Sequence, residues 1–235
     1  MEYLKNKILN KNMPFAVWTI VDMSFVIFIV LLLSISISIG MLTLFGDSAK
    51  SSLLSRYIIA LVTLVIPILW VKSKYRLSWE ALGLIKANLN IRSYALIVAI
   101  PGLYHFILWV VEARHISFRN ITSLEILLLP LSMYSFSTIV LSPISEEIIW
   151  RGFVYGYLRK KFGGLFGLIL QAMMFSFMHY NIYANISSNL FIIINVLIVG
   201  LLAGLIYEKT GSIYPAILFH CTFNYFSAIN IAIQK

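Results

Sequence analysis

The chain has 235 residues, 60% of them apolar and 11% charged, and its 18 Lys and Arg against 9 Asp and Glu give a net charge of +9, with a mean hydropathy of +0.91. A soluble domain carries about 25% charged and roughly 45–50% apolar residues, so a water-soluble fold is excluded. The one cysteine, Cys221, rules out a disulfide framework and a Cys-cluster zinc site, which leaves carboxylates, histidines and hydroxyls to carry any chemistry.

At about 20 residues per membrane helix plus connections, the length allows about seven or eight spans. The first apolar run, from about Phe15 to Phe45, follows the basic start Met1–Lys7. It is too long for a signal-peptide core and lacks an A-x-A cleavage pattern, which predicts a retained span. Further apolar runs cover Leu53–Val71, Tyr94–Val111, Leu124–Leu141, Leu165–Tyr180, Leu190–Tyr207 and Ile213–Ile231, seven in all. With the N-terminus in the cytoplasm, thirteen basic residues lie inside and five (Lys50, Arg56, Arg114, Arg119 and Lys235) lie outside. That split obeys the positive-inside rule and accounts for the net charge without a nucleic-acid partner. The expected fold is therefore all-α, a polytopic transmembrane helical bundle in a single domain, 1–235, with a cytoplasmic N-terminus.

Between the second and third runs, Lys72 to Arg92 is the longest polar interruption. Its Leu77–Leu84 stretch predicts a short amphipathic helix at the cytoplasmic surface. Later in the chain, Gly200-x-x-x-Gly204 predicts close helix packing.

An ionisable residue at the bilayer centre costs about 2.5–3.5 kcal/mol on insertion scales, so each such residue is a functional candidate. They are Asp22, His105, Glu125, Glu146, Glu147, Arg151, His179, Glu208 and His220. Asp22 and His105 have no evident partner in the sequence. Glu147 and Arg151 are four apart and share a helix face, so they can pair, whereas Glu146 is rotated by about 100° and keeps a free carboxylate. Ser142-Pro143-Ile144-Ser145 predicts a helix start just before them. Taken alone, Glu-Glu-x-x-x-Arg also fits a capped surface helix with an ordinary salt bridge.

His179 closes an apolar run, and His220 and Asn224 share one helix face in the last one. A carboxylate base, two imidazoles and an amide donor are the groups needed to activate a water and hold an oxyanion. Other intramembrane proteolysis chemistries lack their motifs. There is no H-E-x-x-H helix, no Gly-x-Ser-Gly nucleophile, and neither Asp22 nor Asp47 sits in a Gly-x-Gly-Asp context.

Taken together, Glu146-Glu147-x-x-x-Arg151, Phe175-x-x-x-His179 and His220-x-x-x-Asn224 resemble the CPBP family of intramembrane proteases, the CAAX prenyl endopeptidase and bacteriocin-processing family, also called Abi proteins. Gly204 to Ile217 resembles the approach to the family's final motif, and Leu77–Leu84 its Leu-Gly-Leu segment. The family's catalytic core would cover about 124–227.

The resemblance implies a membrane endopeptidase in a multi-pass cell membrane, bacterial in source, acting on a peptide or membrane-protein substrate. Glu146 would activate the hydrolytic water with the help of His179, His220 and Asn224 would bind the oxyanion, and Glu147 and Arg151 would shape the site. The family is described as metalloproteases. Zn²⁺ held by Glu146, His179 and His220 with one position open therefore stands beside a metal-free, glutamate-activated water. The site is expected in a cavity opening toward the cytoplasm. A reading from another class is a membrane protein for bacteriocin self-immunity, or a scaffold, that works without proteolysis. The expected partners are the substrate and membrane lipid, with no nucleic acid, and the oligomeric state is left open.

Overall fold

The structure is a computed structural model that describes residues 16–112, 132–182 and 184–233. All regular structure among them is helical: α1 (Ile20–Phe45), α2 (Ala49–Tyr75), α3 (Ile91–Glu112), α4 (133–162), α5 (Gly164–Phe177), α6 (Ile186–Thr210) and α7 (Ile213–Ile233). The N-terminal lysines, Glu125 and the first half of the Leu124–Leu141 run lie outside the described residues.

Among the described residues four helices, Ile20–Phe45, Ala49–Tyr75, Ile91–Val111 and Ile186–Thr210, are long and apolar enough to cross a membrane; the sequence predicts seven spans, and the described residues form seven helices. The other three helices are shorter or less regular and less apolar for local reasons. Helix α5 has only 14 residues, α4 changes register twice along its length, and α7 carries His220, Asn224 and Asn230 among its apolar residues. Outward-facing side chains such as Val21, Phe28, Ile35, Leu61, Leu103 and Phe106 are more than half exposed on their helices, except Leu61 at 50%. Apolar rows of this kind are stable against hydrocarbon and not against water, so the molecule is a membrane protein.

Each long helix starts where a short polar side chain takes up free backbone donors. Thr19 caps α1 in a reciprocal capping box with Asp22, Ser48 caps α2 by accepting from Ser51 N, and the Asn90 side chain accepts from Ser93 N at 2.9 Å before α3. Asn185 caps α6 by accepting from Ser188 N at 2.8 Å.

Helix α4 departs from the predicted start at Ser142. It begins at Met133 behind the Ser132 cap and runs through to Phe162, with π-helical stretches at Ser137–Leu141 and Ile148–Tyr155. Pro143 therefore lies inside the helix. It has no N–H to offer the carbonyls four and five residues back, and a widened turn upstream is how a helix absorbs such a defect.

The predicted amphipathic helix over Leu77–Leu84 is also corrected. Only one 3-10 turn forms, Trp79–Leu82, and it does not float on the surface: Leu82 is fully buried against Gly152 of α4. Gly83 ends the turn at φ +82°, and a Cβ there would lie 2.4 Å from the Tyr207 ring, so both conformation and space require glycine. Gly83 O accepts from Ile213 N at 2.9 Å, and Ser212 Oγ donates to Ile85 O, fastening this loop to the start of α7. Between α5 and α6, Gly204 lets the backbones close, since a Cβ there would sit 2.2 Å from Leu168 Cδ1.

The bundle has two distinguishable ends. At one, Asp22 at the start of α1 accepts from Trp70 Nε1 (3.1 Å), Tyr75 Oη (2.5 Å) and Lys74 Nζ near the end of α2, and Arg159 of α4 grips Glu208 of α6. At the other, Tyr57 Oη donates to Met133 O at 2.9 Å, joining the start of α2 to the start of α4. There too, Asn230 Nδ2 lies 3.3 Å from His105 Nδ1, between the far halves of α7 and α3.

Candidate active site

Six polar residues singled out in the sequence come from three helices. Glu146, Glu147 and Arg151 lie on α4, His179 just beyond the C-terminus of α5, and His220 and Asn224 on α7. Five of them surround Phe175 or line one cavity of about 580 Å³, whose walls include Glu146, His179, His220, Asn224, Thr138 and Ser142.

The two adjacent glutamates occupy different environments. Glu147 is fully buried, with Oε1 2.8 Å from Arg151 Nη1 in an ion pair and 2.7 Å from His220 Nδ1. Arg151 is equally buried, its guanidinium lying over the Phe175 ring at 4.7 Å. Two ions removed from water hold each other in place, and losing either would strand the other.

Glu146 faces the cavity with its side chain 22% exposed. Its Oε1 accepts from Ser142 Oγ at 2.5 Å, and its Oε2 lies 3.9 Å from His220 Nε2. The i, i+4 spacing separates a carboxylate paired with Arg151 from one left facing the cavity, and the burial of one and exposure of the other follow that division.

The histidine tautomers follow from their partners. The Glu147 carboxylate paired with Arg151 accepts, so His220 donates to it from Nδ1 and turns Nε2 toward Glu146. His179 Nδ1 lies 2.9 Å from Phe175 O, and a carbonyl also only accepts, so its Nε2 is left with a lone pair for the cavity. Both imidazoles pack edge-on against Phe175, with centroids 4.8 Å from His179 and 5.9 Å from His220. One aromatic ring thus sets the position of Arg151 and of both histidines. Asn224 Nδ2 donates to Thr138 O at 2.9 Å, one of the carbonyls that Pro143 cannot serve, and it keeps its second N–H.

Ser142, Thr138 and Phe175 thus support the site. Ser142 carries a partial signal in the sequence, being four residues before Glu146. Thr138 carries none, because its role arises from the π-helical register. The other described ionisable candidates, Asp22, Glu208 and His105, have partners within the bundle, and His105 also borders the cavity. Asp22 gathers Thr19, Trp70, Lys74 and Tyr75. Glu208 takes Arg159 Nε at 2.8 Å, Arg159 Nη2 at 3.0 Å and Tyr155 Oη at 2.7 Å. His105 is buried between Tyr104 and Phe223 beside Asn230. The partners of Asp22 and His105 sit on distant helices, which is why the sequence does not reveal them.

The zinc set Glu146, His179 and His220 can be compared with these positions. Glu146 and His220 face one another, but among the described residues no group of three His, Cys, Asp or Glu side chains gathers closely enough to hold an ion. The donor geometry fits a two-residue pair across a water better than a three-ligand cage.

Residues 128–226 match the family model for Type II CAAX prenyl endopeptidase Rce1-like proteins. No curated protein and no solved structure matches the chain. The Rce1-like stretch runs from before α4 into α7 and contains all six polar residues. It agrees with the CPBP resemblance carried by the three motifs and supports, at the level of the family, a CAAX-protease-like intramembrane protease.

Proposed function

We propose that this protein is an intramembrane endopeptidase that hydrolyses a peptide bond with a water activated by Glu146. The observation that carries this is the split between neighbouring carboxylates: Glu147 is buried and neutralised by Arg151, while Glu146 stands in the cavity within 3.9 Å of His220 Nε2. A water touching Glu146 Oε2 and the Nε2 face of the histidines is within proton-transfer reach of a carboxylate base.

Glu146 takes a proton from that water as its oxygen attacks the scissile carbonyl carbon. The resulting oxyanion is met by the free N–H of Asn224 and by His220 carrying a proton on Nε2 as well as the Nδ1 proton through which Glu147 holds it in orientation. Glu146 then returns the proton to the departing amide nitrogen, the C–N bond breaks, and a carboxylate and an amine leave. Ser142 keeps the Glu146 carboxylate turned into the cavity, and His179, fixed through Nδ1, holds the water with its Nε2 lone pair. The peptide enters a bundle whose N-terminus we place in the cytoplasm, in a multi-pass cell membrane.

The test is a comparison of peptide termini in the membrane fraction of cells making the wild-type protein or the paired Glu146→Ala and His179→Ala variants. New termini that appear with the wild type and vanish in both variants support the reading. Identical sets of termini in all three defeat it.

A further inference from the structure

Helix α3 lies outside the stretch that the family model matches, yet two adjacent residues on it, Tyr104 and His105, each meet an asparagine of another helix. Tyr104 Oη donates to Asn195 Oδ1 of α6 at 2.5 Å. Asn230 Nδ2 of α7 lies 3.3 Å from His105 Nδ1 and 3.3 Å from His105 O. Both asparagines and His105 border the catalytic cavity.

Asparagines between membrane helices often serve to join them, and one used only for that spends its whole amide on the joint. These two do not. Asn195 gives one N–H to Phe191 O at 2.7 Å and takes the Tyr104 hydroxyl on Oδ1, which leaves its second N–H. For Asn230 the orientation follows from the His105 carbonyl, which only accepts, so the atom turned to His105 is the amide nitrogen and Nδ1 accepts as well. Both N–H groups are then used, and Oδ1 takes no hydrogen bond from the described residues.

The cavity wall therefore holds an uncharged donor on α6 and an uncharged acceptor on α7, each fixed by a neighbour on α3. That pair is the complement of a peptide main chain, whose C=O accepts and whose N–H donates. An anion would need a cation instead, and Arg56, which also borders the cavity, has its guanidinium over the Tyr134 ring at 4.8 Å. Asn230 follows Asn224 by six residues, about 9 Å of helix, a distance that an extended chain covers in about three residues.

We propose that Asn195 and Asn230, oriented by Tyr104 and His105, form a main-chain subsite of the cavity, in which a substrate C=O accepts from Asn195 and a substrate N–H donates to Asn230 within about three residues of the scissile bond. Such contacts hold an extended backbone whatever side chains it carries. That the bound peptide is the substrate rests on the peptidase reading proposed above; the peptide subsite itself does not.

The test uses Glu146→Gln protein in lipid nanodiscs and a pool of acetylated, amidated hexapeptides of Ala, Val, Leu and Phe, with retained peptides measured by mass spectrometry. Adding Asn195→Leu or Asn230→Leu is expected to lower retention several-fold, and Tyr104→Phe, which removes one hydroxyl, to lower it in the same direction. A second measurement alters only the ligand. N-methylation of a retained peptide, one residue at a time, should abolish retention at one main-chain position, and that position should become indifferent in Asn230→Leu. Equal retention by the asparagine variants and their parent, a scan with no sensitive position, or no retained peptide at all overturns the proposal. Cleavage of the pool by the wild type that ignores Asn195 and Asn230 removes the subsite and leaves the peptidase reading standing. Asparagine-dependent retention without any cleavage supports the subsite and removes the peptidase reading.

Discussion

Two adjacent glutamates with different burial make opposite predictions. Glu146 faces the cavity, bonded to Ser142 and 3.9 Å from His220, so Glu146→Gln is expected to lower turnover by about 10²–10⁴, the usual contribution of a positioned acid–base group. The thermal melt in detergent should stay within a degree or two of wild type. Glu147→Gln leaves Arg151 buried without its counter-charge, which costs about 3–5 kcal/mol. Its melt should fall sharply even though Glu147 never faces the substrate. Equal melts for the two variants would contradict the division of roles. The i, i+4 relation of Glu147 and Arg151 is enough to read this division from the sequence. The bond from His220 Nδ1 to Glu147 is not, because it joins residues 73 apart and exists only once α7 packs on α4.

At the scale of the element, α4 is the least regular helix and carries half of the site. Its first π-helical stretch, Ser137–Leu141, ends just before Pro143, and the Asn224 amide bonds to the Thr138 carbonyl at 2.9 Å. A sequence reader sees the proline and expects a helix start; the structure keeps the helix going by supplying a side-chain donor from α7. Asn224→Leu should therefore lose activity and also about 1–3 kcal/mol of stability, the cost of an unsatisfied buried carbonyl. Asn224→Gln or a loss of activity with an unchanged melt would separate an oxyanion role from this helix-supporting one. The contact between α5 and α6 makes a sharper packing prediction. Gly204→Val places methyl groups where Leu168 Cδ1 already stands, and overpacking of that kind typically costs about 1–3 kcal/mol. A melt unchanged by Gly204→Val would show that α5 and α6 are farther apart than described.

Across the whole molecule, composition made the membrane and the all-helical class legible, and the three motifs, from Glu146 to Asn224, fall within 128–226, the stretch that the Rce1-like family model matches. The regularity of the helices was less legible, since α4 carries two π-helical stretches and Pro143 in its interior. The arrangement of donors also bears on metal dependence. Glu146 and His220 form a pair and not a three-residue cluster, so protein washed with a chelator is expected to keep its activity. Loss of activity that zinc restores would contradict the metal-free mechanism.

The central claim is that Glu146 activates the water that cuts the peptide bond. It is tested most directly by reconstituting wild-type and Glu146→Gln protein in lipid vesicles with a substrate peptide identified from the termini comparison, and timing cleavage by each. The account predicts cleavage by the wild type and a loss of about 10²-fold or more in a variant that melts like the wild type. Cleavage by Glu146→Gln at the wild-type rate would contradict it.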